Sequence, residues 1–378
     1  MNGQRVGRAM IHLRMKHLEL AWLIGVLGCS ATQPEAQVAP PTSRIASGSS
    51  ALAPRPSASS SADASVAFTA APRQPLIALA ALLATLPAAS HSTSIGSPTN
   101  GRIVGAVPMP LQGPGFRYND RRSQDARYGA AEVVRAIATA AAVVERELPG
   151  SELVVNDIGL VEGGKIAHHG SHRAGRDADL LFFLLDDHAQ PIGSVGAPLD
   201  PNGIGFDYKD LSLAEDDVRV HFDAARTWRF VRALLEDDQA EVQRIFVVEH
   251  LRTELLAEAE RSAAPAAVVA RFADVSCQPS YAHDDHLHVR WFCSVEDLRA
   301  GCEDAAPLYP WREQALRAAG VEPVLAKRAR SEDPAPVVTN EQAEREVLRR
   351  APHPDVLAFL KRRKAWERQP HPGRPYCR

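Results

Sequence analysis

Histidine is the residue type that most clearly suggests chemistry in this sequence. The chain has fourteen histidines, and six of them fall in two short segments that also contain aspartates. The six are His168, His169 and His172 in the first segment and His283, His286 and His288 in the second. Imidazole and carboxylate groups are common ligands of zinc, and a catalytic zinc ion takes three protein ligands plus a water molecule. An isolated histidine is usually structural or solvent-exposed, but two dense clusters favour a metal site.

The spacing within each cluster suits one shared ion. His286 and His288 alternate along a predicted strand, so their side chains lie on the same face. Both could bind the metal, or one could bind it while the other acts on its water. His172 and Asp179 have six residues between them, and Gly175 permits a tight turn there. Because a carboxylate at the start of an apolar run is costly unless it is paired or metal-bound, Asp179 is a candidate ligand.

These clusters lie among short apolar runs and amphipathic segments that do not alternate regularly. The predicted strands are 152–158, 178–185, 244–248 and 286–292, and the predicted helices are 130–148, 223–235 and 251–261. Strands and helices mixed in this way favour an α+β domain. We expect a small antiparallel-sheet core with flanking helices that carries a single catalytic zinc site.

The motifs together resemble a known family. His172 and Asp179, followed by His286 and His288, match the signature of zinc peptidases that include lysostaphin, D-Ala-D-Ala metallopeptidases and the hedgehog signalling domain. Further segments resemble penicillin-insensitive murein endopeptidases in the same order along the chain. These segments are 94–105, 127–129, 169–172, 244–247 and 283–290. The resemblance covers about residues 90–305.

The resemblance implies a ligand set for the metal. It makes His172, Asp179 and His288 the zinc ligands and places His169 beside or on the metal. A second metal ion is conceivable in this family, but the sequence assigns no ligands to it.

The resemblance also implies the catalytic residues and the substrate. His286 would be the general base or would stabilise the transition state, and His283 would be another active-site histidine. The implied reaction is hydrolysis of peptidoglycan peptide cross-links, typically the D-alanyl bond to meso-diaminopimelate. Because no serine nucleophile is involved, the enzyme would be insensitive to β-lactams.

Two other functions fit the same residues. The zinc site could remove a terminal D-alanine as a carboxypeptidase, or the domain could bind cell wall without catalysis. The presence of all the motif residues argues against the non-catalytic alternative.

Three aspartates close to the histidines have open roles. Asp177 is two residues from Asp179 and could bond a ligand histidine. Asp284 and Asp285 could orient histidines from outside the ligand set, or they could face solvent.

Residues 1–29 are expected to be a lipoprotein signal peptide. A basic start precedes the apolar run from Leu20 to Leu27, which is too short to cross a bilayer core of roughly 30 Å. The run ends in Val26-Leu27-Gly28-Cys29, which resembles a bacterial lipobox; a plain signal peptide is the alternative. The lipobox implies a periplasmic protein anchored to the outer membrane by a lipid on Cys29.

The signal is followed by a predicted tether, residues 30–87, that is rich in Ala, Pro and Ser. Such a composition buries too little apolar surface to offset the chain entropy, so we expect disorder. A short apolar run at 76–86 is expected to form a helix packed on the domain, or else an interfacial segment. The zinc endopeptidase domain is expected at 88–305.

Residues 306–378 are predicted to be a basic C-terminal extension, with helices at 341–350 and 354–366. The basic run 361–364 is either a solvated face or a contact with anionic envelope polymers or lipid headgroups. The net charge is −3, and the acidic residues are concentrated in the central domain. Phosphate binding requires Lys and Arg, so we expect no nucleic-acid partner.

The sequence has five cysteines, an odd number, so they cannot all be paired with one another in disulfides. If Cys29 carries lipid, four remain in an oxidising compartment, where disulfides form. Cys293 and Cys302 resemble a short disulfide of the family, which implies that they pair. Cys277 and Cys377 are then left to pair with each other, which would hold the basic extension near the active site.

Overall fold

A computed structural model describes the parts of the chain that carry the clusters. The described residues are 74–167, 169–207, 212–280, 283–327, 353–367 and 377. The expected signal peptide with Cys29, the tether up to residue 73, His168 and the predicted helix at 341–350 lie outside them.

Within these residues the chain forms fifteen short strands. They are β1 (Thr93–Ser97), β2 (Asn100–Val104), β3 (Val107–Pro108), β4 (Gln112–Gly113), β5 (Phe116–Tyr118), β6 (Tyr128–Gly129), β7 (Leu153–Val155), β8 (Asp177–Leu181), β9 (Leu184–Leu185), β10 (Pro191–Ile192), β11 (Ile204–Phe206), β12 (Arg219–Phe222), β13 (Val242–Phe246), β14 (Ser276–Cys277) and β15 (His286–Trp291).

The same residues contain eight α-helices and two short 3₁₀ helices, at Ala89–His91 and Gln124–Ala126. The α-helices are α1 (Gln74–Thr85), α2 (Ala131–Glu147), α3 (Ala224–Leu235), α4 (Glu249–Arg261), α5 (Ala266–Val275), α6 (Val295–Arg299), α7 (Pro310–Ala318) and α8 (Pro354–Glu367). In the described ranges no helix is both long and apolar enough to cross a membrane.

The largest sheet has seven strands in the order β14-β13-β15-β8-β7-β5-β4. The expected mixture of helices and strands is confirmed, but the sheet is not wholly antiparallel. The β13–β14 and β5–β7 pairs are parallel, and the other four pairs are antiparallel. Parallel neighbours need a long crossover connection, and α2 supplies it for β5 and β7, whereas α4 and α5 supply it for β13 and β14. The two strands that carry the histidine and aspartate motifs, β8 and β15, lie at the centre.

The predicted strand 178–185 is in fact two strands. Its first part is β8 in the central sheet, and its last two residues are β9, which pairs with β12 in a separate four-stranded sheet. Phe182 and Phe183 lie between them and are both buried. A continuous apolar run has no alternation that could mark a change of sheet, so the sequence alone suggests one long strand.

The core is formed by α2 and α3 packed with the central sheet. Helix α2 is rich in alanine, the residue with the highest helix propensity, and most of its residues are buried. On α3 the buried side chains include Trp228, Val231 and Leu234, with the spacing of one helical face. The apolar run at 76–86 forms α1, and Arg135 of α2 donates a hydrogen bond to the Leu83 carbonyl at 2.9 Å.

Both expected cysteine pairs are disulfides in the structure. Cys293 and Cys302 are joined just after β15, with 6.1 Å between their Cα atoms. Cys277, at the end of β14, is joined to Cys377 with a Cα separation of 5.5 Å. The second bond fixes a residue of the C-terminal extension at the edge of the central sheet.

Arg176 anchors the start of β8 through a buried ionic cluster. Its guanidinium donates to carboxylates of Glu132 on α2 and Asp297 on α6, and to the carbonyl of Phe292 at 2.6 Å. All three charged side chains are buried. The cluster therefore ties two helices to the strand that carries Asp179.

We predict that Arg176→Met lowers the free energy of unfolding by about 3–5 kcal/mol, because it leaves two buried carboxylates without their cation. Urea unfolding followed by circular dichroism measures the change. Arg232→Met, which removes an exposed ion pair with Glu236, is the control and should cost less than about 1 kcal/mol. Equal small effects of both substitutions would contradict an anchoring role for Arg176.

Candidate functional site

The register of β8 and β15 brings the two clusters together. The strands are antiparallel, with His288 opposite Asp179 and Arg290 opposite Asp177. Directly opposed residues have their Cβ atoms about 4.5–5.5 Å apart and project to the same face of the sheet. His286 lies two residues before His288, so it reaches the same face, as the alternation predicts.

The Asp179 carboxylate is the centre of the cluster. Its Oδ1 atom lies 3.3 Å from His172 Nε2, 3.4 Å from His286 Nε2 and 3.2 Å from His288 Nδ1. Its Oδ2 atom lies 3.5 Å from His169 Nδ1. Burial opposes ionisation, but the imidazoles of His172 and His286 hold the pKa of Asp179 well below its usual range. Four of the predicted site residues thus face one carboxylate.

The ring nitrogens that point away from Asp179 are hydrogen-bonded in two of the proposed ligands. His172 Nδ1 lies 3.0 Å from the carbonyl oxygen of Ile158 and must donate to it. His288 Nε2 lies 2.8 Å from Asp177 Oδ1. Such contacts fix the tautomer of a metal-ligating histidine and leave its other nitrogen free as a ligand.

The polar atoms of this cluster that make no hydrogen bond fit a cation. His172 Nε2 and Asp179 Oδ1 are buried and have no hydrogen-bond partner among the described residues. Potential ligand atoms of His169, His172 and Asp179 lie within 4.8 Å of one another, and the same holds for His283, His286 and His288. Unpaired buried polar atoms are costly, and two imidazole nitrogens with a carboxylate form a donor set suited to zinc. The residues present therefore fit a metal ion.

His169 is oriented by an acid that the sequence analysis did not identify. Its Nε2 atom lies 2.9 Å from Asp157 Oδ2, and Asp157 also pairs with Arg122. Burial raises the pKa of Asp157, but Arg122 and His169 outweigh it and lower the pKa to about 2. Asp157 follows β7, and nothing in its local sequence distinguishes it from an ordinary loop acid.

His286 is held by the acid that precedes it. Asp285 Oδ1 lies 2.7 Å from His286 Nδ1, so Nε2 faces Asp179. Burial lowers the pKa of His286, but Asp179 and Asp285 raise it well above its usual value. The ring of His283 lies near this pair, with its centroid 4.9 Å from that of His286 and 5.6 Å from that of His288. Both predicted catalytic histidines therefore border the same site.

The other two aspartates have different roles. Asp177 accepts hydrogen bonds from both His288 and Arg290. Burial raises the pKa of Asp177, but the Arg290 guanidinium and the hydrogen bond to His288 hold it below its usual range. The buried Asp284 carboxylate instead accepts hydrogen bonds from Arg363 and Trp366 of α8. Of the three open expectations, Asp177 and Asp285 orient histidines, whereas Asp284 binds the C-terminal extension.

The loop that carries His172 has an unusual backbone. His172 has φ of 68° and Gly175 has φ of 69°, in the left-handed region that glycine adopts easily and other residues at a cost of about 1–3 kcal/mol. A Cβ atom at Gly175 would lie 2.5 Å from Ile103 Cδ1. The His172 amide donates to Asp177 Oδ2 at 3.2 Å, which helps to hold this conformation. The turn expected at Gly175 is therefore present, and it aims His172 at Asp179.

Sequence comparison identifies a family and several relatives of this chain. Residues 94–312, more than half of the chain, match the family described as "Penicillin-insensitive murein endopeptidase". A protein of that name from Klebsiella pneumoniae is 29% identical over 232 residues, which cover 60% of this chain and 75% of the relative. One from Pectobacterium atrosepticum is 31% identical over 224 residues, covering 59% and 72%. One from Haemophilus influenzae is 27% identical over 237 residues, covering 59% and 74%. Helix α8 lies beyond the residues matched by the family.

We predict that the purified protein retains about one zinc ion per chain and that Asp179→Asn and His172→Ala abolish this retention. Metal content after dialysis, measured by mass spectrometry, gives the stoichiometry. Asp177→Asn should weaken zinc affinity by about 10–100-fold, because it alters the partner that orients His288.

The control is Asp187→Asn, which changes an exposed aspartate that contacts His221 at 2.8 Å. It should leave zinc content unchanged. Full zinc retention by Asp179→Asn would exclude Asp179 as a ligand.

Proposed function

We propose the function of this chain from one established premise: it belongs to the penicillin-insensitive murein endopeptidase family. The chain is a peptidase that cleaves murein, and it is therefore a peptidoglycan hydrolase. The finer proposal is that hydrolysis depends on zinc and occurs at peptide cross-links, at the D-alanyl bond to meso-diaminopimelate. The observation that carries it is the buried Asp179 carboxylate, which faces three imidazole nitrogens on one side of the central sheet.

His172, Asp179 and His288 would hold the zinc ion, with His169 beside or on it. When bound at such a site, zinc acts as a Lewis acid that lowers the pKa of water and polarises a carbonyl group. The ordered hydrogen bonds of His172 and His288 to Ile158 and Asp177 keep the ligand nitrogens turned inward.

His286 is proposed to transfer protons. Asp285 holds its Nδ1 atom, so Nε2 is directed toward the space next to Asp179 where a substrate carbonyl would lie. In that position Nε2 can accept a proton from the attacking water and return it to the leaving amine. Asp179 and Asp285 raise the pKa of His286, and a zinc ion held by Asp179 would oppose that shift and favour the neutral imidazole that accepts a proton.

His283 is proposed to contact the substrate on the same side. Its ring lies next to that of His286, and its backbone carbonyl accepts a hydrogen bond from the Val248 amide at 3.1 Å, which fixes the chain there. From this position the imidazole can donate to the developing oxyanion or to the leaving amine.

Insensitivity to β-lactams follows from the proposed nucleophile. β-Lactams inactivate enzymes that form an acyl intermediate on a serine hydroxyl. In the proposed reaction the nucleophile is water, activated among histidines and aspartates, so there is no serine for the drug to acylate.

The proposed location is the periplasm, with the protein attached to the outer membrane by a lipid on Cys29. The lipobox-like segment supports the anchor, and the two disulfides are consistent with an oxidising compartment. Metabolic labelling with a fatty acid, compared between the natural chain and Cys29→Ser, tests the anchor.

We predict that the enzyme converts purified cross-linked muropeptide dimers to monomers without loss of a terminal alanine. Chromatography with mass detection follows the products, and benzylpenicillin should not change the rate. Release of free D-alanine from monomers with intact dimers would identify a carboxypeptidase instead. Dimer binding without any product would indicate a non-catalytic wall-binding module.

A further prediction concerns His286. His286→Ala should retain zinc but lose about 10²–10⁴-fold in kcat, because it removes the proposed proton-transfer group. The matched control is His221→Ala, which removes a partly exposed histidine paired with Asp187 at the surface and should keep full activity. A wild-type rate for His286→Ala would remove this residue from proton transfer.

A further inference from the structure

Helix α8 is a structural part of the domain although it lies beyond the residues matched by the family. Val356, Phe359 and Leu360 are buried on its inner face. Trp366 packs against the core near its end, with its ring centroid 6.1 Å from that of His250. The basic run 361–364 is split, because Arg363 points inward while Lys361, Arg362 and Lys364 are exposed.

The inward-pointing Arg363 binds Asp284. Its Nε atom lies 2.9 Å from Asp284 Oδ2 and its Nη2 atom lies 2.5 Å from Oδ1. Trp366, one helical turn later, donates from Nε1 to Oδ2 at 2.8 Å. The Asp284 side chain is 0% exposed and that of Arg363 is 9% exposed. One face of α8 therefore supplies donors to both oxygens of a fully buried carboxylate.

Asp284 lies between the two proposed catalytic histidines in sequence. His283 precedes it and His286 follows it by two residues. The Asp284 carbonyl also accepts from the Leu199 amide at 2.8 Å. His283 has φ of 48°, a strained value that needs support from its surroundings. Any displacement of Asp284 would move the backbone of both histidines.

The preceding part of the same loop is also fastened to the C-terminal extension. The Cys277–Cys377 disulfide lies at its start. The Cys377 amide donates to the Gln278 carbonyl at 2.9 Å, and Gln278 Nε2 donates to the Trp366 carbonyl at 3.2 Å. Cys277, Gln278 and Asp284 are thus each held by residues of the extension.

We propose that Arg363 and Trp366 are positioning residues for catalysis, acting through Asp284 to hold His283 and His286 in place. The proposal rests on the function proposed above. Without Arg363, the buried Asp284 carboxylate loses its cation and moves toward water, because an isolated buried charge is strongly disfavoured. The proposed zinc ligands His172 and Asp179 lie on other segments, and His288 lies inside β15, paired with Asp179 of β8, so turnover should fall while zinc binding persists.

The test compares Arg363→Met with Lys364→Met in the full chain. Both substitutions remove one positive charge from the same helix, but Lys364 is exposed. Arg363→Met should lower kcat on muropeptide dimers about 10–100-fold, since small misplacements of catalytic groups have effects of this size. KM and zinc content should stay within about 3-fold of wild type, and Lys364→Met should match wild type throughout.

Two more variants separate positioning from folding. Trp366→Phe keeps the ring packing but removes one donor, and should lower kcat about 5-fold, the equivalent of one hydrogen bond. Combining Asp284→Asn with Arg363→Met should recover part of the kcat lost in Arg363→Met, because no buried charge is then left unpaired. Hydrogen exchange of amides 283–286 should be faster in Arg363→Met and unchanged in Lys364→Met.

Unchanged kcat and unchanged exchange in both Arg363→Met and Trp366→Phe would overturn the inference. If Arg363→Met fails to fold, Trp366→Phe decides alone, and a wild-type kcat in that variant overturns the proposal. Absence of dimer cleavage by the wild-type enzyme would instead contradict the proposed function. Hydrogen exchange of amides 283–286 would still show whether α8 holds the loop.

Discussion

In the pairing of β8 with β15, the register decides which side chains meet. Asp179 lies opposite His288 and Asp177 lies opposite Arg290. Because side chains alternate between faces, a slip of one residue would place Leu287 or Val289 opposite Asp179 and would turn the histidines to the other side of the sheet. The candidate metal centre therefore depends on a backbone hydrogen-bond pattern, and the loops around it refine a geometry that the two strands establish.

Around these strands, each buried acid of the site has a cationic or imidazole partner. This arrangement offsets the large cost of burying charge and also orients the histidines. Asp177 and Asp157 each connect a histidine to a more distant arginine, so these histidine rings are held by residues that are not themselves metal ligands. The pairs with arginine are Asp177 with Arg290, Asp157 with Arg122 and Asp284 with Arg363.

The site could be predicted from the sequence where its determinants are local. Alternation placed His286 and His288 on one face, and the six-residue spacing brought His172 to Asp179 through the turn at Gly175. Contacts across the fold were not predictable in this way. Asp157 and Arg363 show no local pattern that connects them to a histidine loop. The division of 178–185 between two sheets and the two parallel pairings were missed because they depend on tertiary packing and crossover helices, which hydrophobic periodicity does not encode.

The contact between Asp284 and Arg363 joins residues 79 positions apart. Because synthesis runs from the N terminus, the loop with His283 and His286 is made well before the helix that holds it. Both segments of the candidate metal centre thus precede α8 along the chain. The hydrogen bonds that fix the Asp284 carboxylate can therefore form only after α8 has been made.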